Sequence, residues 1–391
     1  MLVMIFVAIV LFLLGVAIGR SLRHRKTLLP VRFTADSYHQ SLRFLLNEQT
    51  DSTVDIFIQS LDVTPETLDI HLAVAGLMRR KGEITRAIAI HENILTVTGL
   101  TIDLKQQVQL ELAQNYIHAG LLDRAELLLL PLIKLRKPIA GALEQLLGIY
   151  QNEKEWQKAI DIAERLQGNS ERFGEQELAQ MKSHYCCELA EEHIAVGRQA
   201  EAQHFLQLAG HSHQYSVRAG LIAARLAYEA HRYTEALTIV KKLPQHDPDL
   251  TRECLPLLIA CCHALGDQEG LRKNLFLILN QHKSNSTLVA LSDVIVAQEG
   301  IESAVSFLEQ QVSQKPSIRV LKQIIDLYLQ HSEGKAKQNL ELLSLIVEKV
   351  IAEKPIYLCN RCGFSAVHLH WLCPGCKTWG SVRPVKGVSG E

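Results

Sequence analysis

The stretch YLCNRCGFSAVHLHWLCPGCKTWG, residues 357–380, carries four cysteines as two C-x2-C pairs ten residues apart: Cys359 with Cys362, and Cys373 with Cys376. Two residues between the members of a pair let both sulfurs point inward from one tight turn. Gly363 gives the backbone freedom that the first turn needs, and Pro374 stiffens the second. Two such turns facing each other make a tetrahedral S4 site, closed to substrate. In a reducing compartment disulfides are disfavoured, so the spacing reads as one structural metal ion, zinc or iron. His368 and His370 lie between the pairs; with four thiolates at hand they are read as surface or packing residues. A segment of this size cannot build a sufficient core alone, so the metal is expected to supply most of its fold. Tyr357, Phe364, Trp371 and Trp379 are expected to form a small aromatic cluster within it.

Nothing else in the chain has the spacing of a catalytic site. There is no H-E-x-x-H, no phosphate-binding G-x-x-x-x-G-K-[ST], no G-x-G-x-x-G and no G-x-S-x-G. No catalytic residue or organic cofactor site is therefore assigned, and the chain is read as a non-enzyme. Cys186, Cys187, Cys254, Cys261 and Cys262 sit on apolar helical stretches and read as buried structural thiols. The seventeen histidines are scattered; His211 and His213 are placed between helices, facing solvent.

The elements that position the cysteines are helical. Aromatic residues make up only 6% of the chain, prolines are few, and Leu, Ala, Gln, Glu and Lys abound, a balance that favours helix over sheet. From residue 38 to residue 354 one pattern recurs, in GEITRAIAIHENIL, GLLDRAELLLLPLI, KEWQKAIDIAERL, GRQAEAQHFLQLA, HRYTEALTIVKKLPQHDP and GIESAVSFLEQQVSQKP. Each copy has a turn residue, a polar stretch and an alanine opening an amphipathic helix. The alanines are Ala87, Ala125, Ala159, Ala202, Ala236 and Ala304, at spacings of 38, 34, 43, 34 and 68. Val54 and Leu271 take the same place in two weaker copies. Pro248 and Pro316 are expected to stop the second helix of their copies. This pattern looks like the tetratricopeptide repeat, two antiparallel helices in about 34 residues, with a small residue where the helices cross closely. One such hairpin cannot bury its apolar face, so eight or nine copies must stack into a superhelical solenoid, with residues 317–354 as a divergent cap. Its groove suits peptides and helices of other proteins.

The N-terminal nineteen residues, MLVMIFVAIVLFLLGVAIG, carry no charge. As a helix they are roughly 28 Å long, close to the thickness of a bilayer's hydrocarbon core. Positive charge follows the run instead of preceding it, and no small-residue cleavage site follows, so the run reads as an uncleaved anchor and not as a signal peptide. Arg20, Arg23, Arg25, Lys26 and Arg32 then place the bulk of the chain on the cytoplasmic side. Both ends are basic and the body between them is acidic, which argues against a nucleic-acid partner. The organisation expected is a transmembrane anchor at 1–19, a basic linker at 20–37, an all-α repeat array at 38–354 and a metal-binding module at 355–391.

The CNRCGF and CPGCKTW knuckles are similar to those of rubredoxin. Anchor, repeat array and terminal rubredoxin-like module, in that order, resemble the lipopolysaccharide assembly protein B family of Gram-negative bacteria. The likeness is sharpest in EWQKAIDIAERL (155–166) and in residues 357–387, where the four cysteines match the family's metal ligands. The resemblance implies a single-pass inner-membrane regulator of lipopolysaccharide synthesis. It implies an adaptor for the membrane AAA+ metalloprotease FtsH, promoting degradation of the lipid A-committing UDP-3-O-acyl-N-acetylglucosamine deacetylase. It further implies restraint by an inner-membrane partner that senses lipopolysaccharide. The alternative it leaves open is a scaffold gathering lipopolysaccharide assembly enzymes, and a homo-oligomer is compatible with either.

Overall fold

A computed structural model describes residues 67–170, 172–213, 216–388 and 390–391. The expected anchor, the basic linker and the weak copy around Val54 lie outside these residues. Among the described residues no helix is long and apolar enough to cross a membrane. The chain divides into two compact units after Leu128.

In the first unit α1 (Leu68–Lys81), α2 (Ile84–Thr96) and α3 (Ile102–His118) precede α4 (Leu122–Ile133), which runs across the division. Leu68, Val74, Met78, Ile90 and Ile94 form its core. A buried polar pair crosses α2 and α3, where Asn115 Nδ2 meets His91 Nδ1 at 2.8 Å. Arg79 ties α1 to the same place through Asn115 at 3.1 Å and Glu111 at 2.7 Å.

The second unit continues in pairs: α5 (Ala140–Glu153) with α6 (Trp156–Leu166), α7 (Glu175–Ala195) with α8 (Gln199–Ser212), and α9 (Val217–Glu229) with α10 (Tyr233–Val240). After a single turn, α11 (Leu243–His246), come α12 (Thr251–Leu265) with α13 (Gln268–Gln281), α14 (Asn285–Glu299) with α15 (Ile301–Gln314), and α16 (Ile318–His331) with α17 (Gly334–Ala352). Within this unit the first helices touch in a row, α7 to α9, α9 to α12, α12 to α14 and α14 to α16.

All six repeat alanines are fully buried, each with no exposed surface. Each is the fourth residue of the second helix of its pair, and Leu271 holds the same place in α13. The alanine is thus one turn inside the helix, not at its opening. Its backbone N–H closes the first intrahelical bond, as from Ala159 to the Glu155 carbonyl at 2.9 Å. At Ala159, which has no exposed surface, a larger side chain has to push the pair apart. Ala159→Leu is expected to cost about 1–3 kcal/mol by overpacking, read as a lower melting temperature with helix content retained.

Two details depart from the sequence reading. Helix α10 ends at Val240, eight residues before Pro248. The cause is Pro244, which lacks an N–H and whose ring meets the carbonyl four residues back, that of Val240. His211 lies in the last turn of α8, exposed, and His213 caps that helix, half-buried.

Beyond Ala352 the fold changes class. Three short strands, β1 (Tyr357–Cys359), β2 (Ser365–Ala366) and β3 (Val382–Pro384), form an antiparallel sheet in the order β2-β1-β3. The all-α reading therefore covers the repeat array alone.

Candidate metal centre

Both knuckles are built alike. The Cys359 N–H donates to the Phe364 carbonyl and the Gly363 N–H to the Cys359 carbonyl, at 2.8 and 3.0 Å. Fourteen positions on, the Cys373 N–H donates to the Thr378 carbonyl and the Lys377 N–H to the Cys373 carbonyl, at 3.1 and 2.9 Å. The residue after each second cysteine takes positive φ, 77° at Gly363 and 55° at Lys377. The left-handed step bends the chain back so that both sulfurs of a pair face the same point.

The four Sγ atoms lie within 4.8 Å of one another. Cys359 and Cys376 are 3.7 Å apart, as are Cys362 and Cys373. A tetrahedron with metal–sulfur bonds of about 2.3 Å has edges of about 3.8 Å, whereas a disulfide is about 2.05 Å. The charges agree with the geometry. Burial raises the Cys359 thiol, but hydrogen bonds with Ser381 and the backbone of Cys362 and Arg361 outweigh it, drawing the group down to about 6. Cys362 is pushed up to about 12; a backbone bond at Phe364 works against this, while burial and bonds with the other three thiols raise it. Four sulfurs this close cannot all become thiolates unless a cation sits among them. The residues fit one structural metal ion, and S4 ligation accepts zinc or iron.

By contrast, the repeat cysteines are buried among apolar neighbours. Burial lifts Cys186 to about 11 and Cys187 and Cys254 to about 12. His368 is exposed, and His370 packs edge-on against Phe364 at 5.9 Å.

The aromatic cluster expected inside the module divides in two. Tyr357 and Phe364 stay in its small core with Cys359, Cys373 and Val382. Trp371 and Trp379 turn outward onto the repeat helices. Trp379 stacks on His184 of α7 at 4.8 Å and 12°, and meets Tyr185 and Trp156 edge-on at 5.8 and 6.1 Å. Its indole N–H donates to Gln151 Oε1 at 2.9 Å, which also accepts the Tyr185 hydroxyl at 2.9 Å. Gln151 Nε2 returns a bond to the Lys377 carbonyl at 3.1 Å. Arg218 of α9 lies over both tryptophans, at 5.8 and 5.7 Å, and is held by Glu188 and Glu191. Gly380 sits so close to α7 that an added Cβ would lie 2.6 Å from Gln180 Nε2.

Polar contacts carry the docking along the row of first helices. Arg383 pairs with Asp247, Lys386 pairs with Asp249 at 2.8 Å, and the Tyr357 hydroxyl donates to Glu253. Glu391 accepts from Ser284 Oγ at 2.8 Å and from the Ser286 N–H at 3.1 Å, capping α14. The module thus spans residues from Gln151 to the start of α16, where the Ile318 N–H reaches the Val388 carbonyl at 2.8 Å.

None of these docking residues was singled out from the sequence as an array–module contact. Signals existed: the chain has three tryptophans, two of them flanking the second knuckle, and Arg218 interrupts an apolar helix face.

His184 makes the docking sensitive to acid. Burial, then repulsion from Arg218, His213 and Arg383, lowers its pKa to about 3. A released His184 titrates near 6.5 and takes up a proton that the docked one refuses. Stability is therefore complete above about pH 6.5 and lost as pH falls, by roughly 2 kcal/mol between pH 7 and pH 5. Urea midpoints at the two pH values are expected to show this loss, and His184→Gln is expected to flatten it.

A family model described as a rubredoxin metal binding domain matches residues 357–384. The chain is 32% identical over 354 residues to lipopolysaccharide assembly protein B of Escherichia coli strain K12, covering 90% of each chain. The protein of the same name from Haemophilus influenzae is 32% identical over 359 residues, 89% of each chain. Among solved structures, a tetratricopeptide repeat protein from Parabacteroides merdae aligns with 67% of this chain and 98% of its own, at 16% identity and a TM-score of 0.33. At that score the likeness adds no weight to the repeat reading, which rests on the helix pairs.

Proposed function

This chain belongs to the lipopolysaccharide assembly protein B family, and from that premise we propose that it serves lipopolysaccharide assembly as a non-catalytic protein-binding adaptor. In this reading residues 1–19 hold it in the inner membrane with its bulk in the cytoplasm. It brings the lipid A-committing UDP-3-O-acyl-N-acetylglucosamine deacetylase to the membrane protease FtsH, and an inner-membrane lipopolysaccharide-sensing partner restrains it. The tether raises the effective concentration of client at the protease.

One observation supports a binding role above others. The docked module leaves open a cavity of about 880 Å³ between α12, α14 and α16, with Leu255, Ile259, Val289 and Val294 on its apolar wall and Arg252 and Arg319 among its polar residues. A space of that size takes a few side chains of a bound segment, not a whole domain. The S4 site has no open coordination position and suits a structural part better than a reacting one.

The test is the half-life of the deacetylase after depletion of this protein, with synthesis blocked. A several-fold longer half-life is expected. Deleting residues 1–19 is expected to leave client binding intact and abolish turnover in cells. An unchanged half-life, with dispersal of the biosynthetic enzymes, would favour the assembly scaffold instead.

A further inference from the structure

We propose that the junction between the metal module and the repeat helices is a binding site for a phosphate-class anion. The proposal does not depend on the adaptor reading. A cavity of about 220 Å³ lies there, with Arg218, His184, His213 and Ser216 on the repeat side and Arg383 and Trp371 on the module side. By volume it holds about seven waters, room for a phosphate group and part of its hydration.

Three features make it suit an anion. Two arginines line it, Arg218 and Arg383, against one lining carboxylate, Asp247, which Arg383 already pairs, and the imidazoles of His184, His213 and His246 add polar ring nitrogens. The second is the N-terminus of α9, a helix of thirteen residues. Ser216 and Val217 line the cavity, so the positive end of the helix is directed at it. Ser216 Oγ takes the Ala219 N–H at 3.3 Å, and the earlier N–H groups of a helix have no acceptor within it.

The third feature is independent of the helix. Buried side chains on this lining keep polar atoms without a partner: Nδ1 of His184, Oγ of Ser183, and Nε and Nη1 of Arg218. Arg218 is only 4% exposed. Glu188 and Glu191 hold its Nη2, at 2.8 and 2.7 Å, and neither lines the cavity. Orphaned donors on a buried guanidinium are costly, and Nε and Nη1 can each donate singly to a phosphate oxygen while Nη2 stays with the two glutamates. An anion bonded to both Arg218 and Arg383 links the array to the module.

The reporter is built in. The chain's three tryptophans, Trp156, Trp371 and Trp379, all sit at this junction. The purified full chain is titrated with inorganic phosphate against chloride at equal ionic strength, and separately with phosphatidylcholine vesicles with and without phosphatidate. A saturable one-site change in tryptophan emission is expected with phosphate chemistry and not with chloride. Arg218→Lys, which keeps the charge and loses the Nε and Nη1 donors, is expected to weaken it by about tenfold or more with metal content unchanged. Arg383→Gln tests the module side should the first variant misfold. A response to free phosphate assigns a soluble ligand, and a response to phosphatidate vesicles alone assigns a lipid headgroup. No saturable response to either, or one that both variants leave unchanged, overturns the proposal.

Discussion

Cys373→Ser is expected to take the metal content from one per chain to none and to unfold the terminal module, not merely weaken it. Cys373 has no exposed surface and lies at the centre of the small core with Tyr357, Cys359 and Val382. A structural zinc in such a site contributes on the order of 10–16 kcal/mol, as much as the whole net stability of an ordinary domain. Serine supplies neither the thiolate nor the bond length, and three sulfurs are left around a site that needs four. Elemental analysis, together with limited proteolysis across residues 355–388, reads both effects. The helical signal of the repeats is expected to persist, because their cores do not include the cysteine ligands. A variant that keeps one metal ion and full protease resistance would show that the module folds on its own packing and that the ion is incidental.

The metal ligands were legible because residue type and spacing both carry the chemistry. Two C-x2-C turns at this spacing do little besides hold a metal ion, and the turn geometry is local. The repeat was legible for a related reason: Ala87, Ala125, Ala159, Ala202, Ala236 and Ala304 answer one steric demand at one place in each hairpin. The docking face was not legible, because its partners are distant in sequence. Trp379 and Gln151 are 228 positions apart, and Arg383 and Asp247 are 136 apart. No periodicity links such pairs. The strands escaped notice because two or three residues of β1, β2 and β3 cannot show an alternation. Trp371 and Trp379 were given to the module's own core since a small fold needs aromatics; the metal takes over that role and frees them for the interface.

If the ion folds the module, the tryptophans fix its place, and Trp379→Ala is expected to release a folded, metal-loaded module from the array. The indole is 6% exposed and touches three helices, through Gln151 on α5, Trp156 on α6, and His184 and Tyr185 on α7. Truncating a buried tryptophan costs about 3–5 kcal/mol, and here that loss falls on docking instead of on either fold. It also strands the Gln151 amide oxygen with the Tyr185 hydroxyl alone and removes one face from under Arg218. Hydrogen exchange is the discriminating measurement. Faster exchange along α7 and α9, with one metal ion still bound per chain, is the expected pattern, and it separates this variant from Cys373→Ser. Trp379→Phe keeps one aromatic ring but loses the N–H and the pyrrole part of the indole. It is expected to cost the hydrogen bond's about 0.5–1.5 kcal/mol plus the packing of the missing ring atoms, still less than Trp379→Ala. Should Trp379→Ala leave the exchange of α7 and α9 untouched, the polar contacts hold the module instead: Arg383 on Asp247, Tyr357 on Glu253, and Glu391 on the start of α14. Those contacts run along the first helices toward the open cavity between α12, α14 and α16. A module anchored by its tryptophans at α7 can loosen at that end without leaving the array, which is where a bound segment would need room.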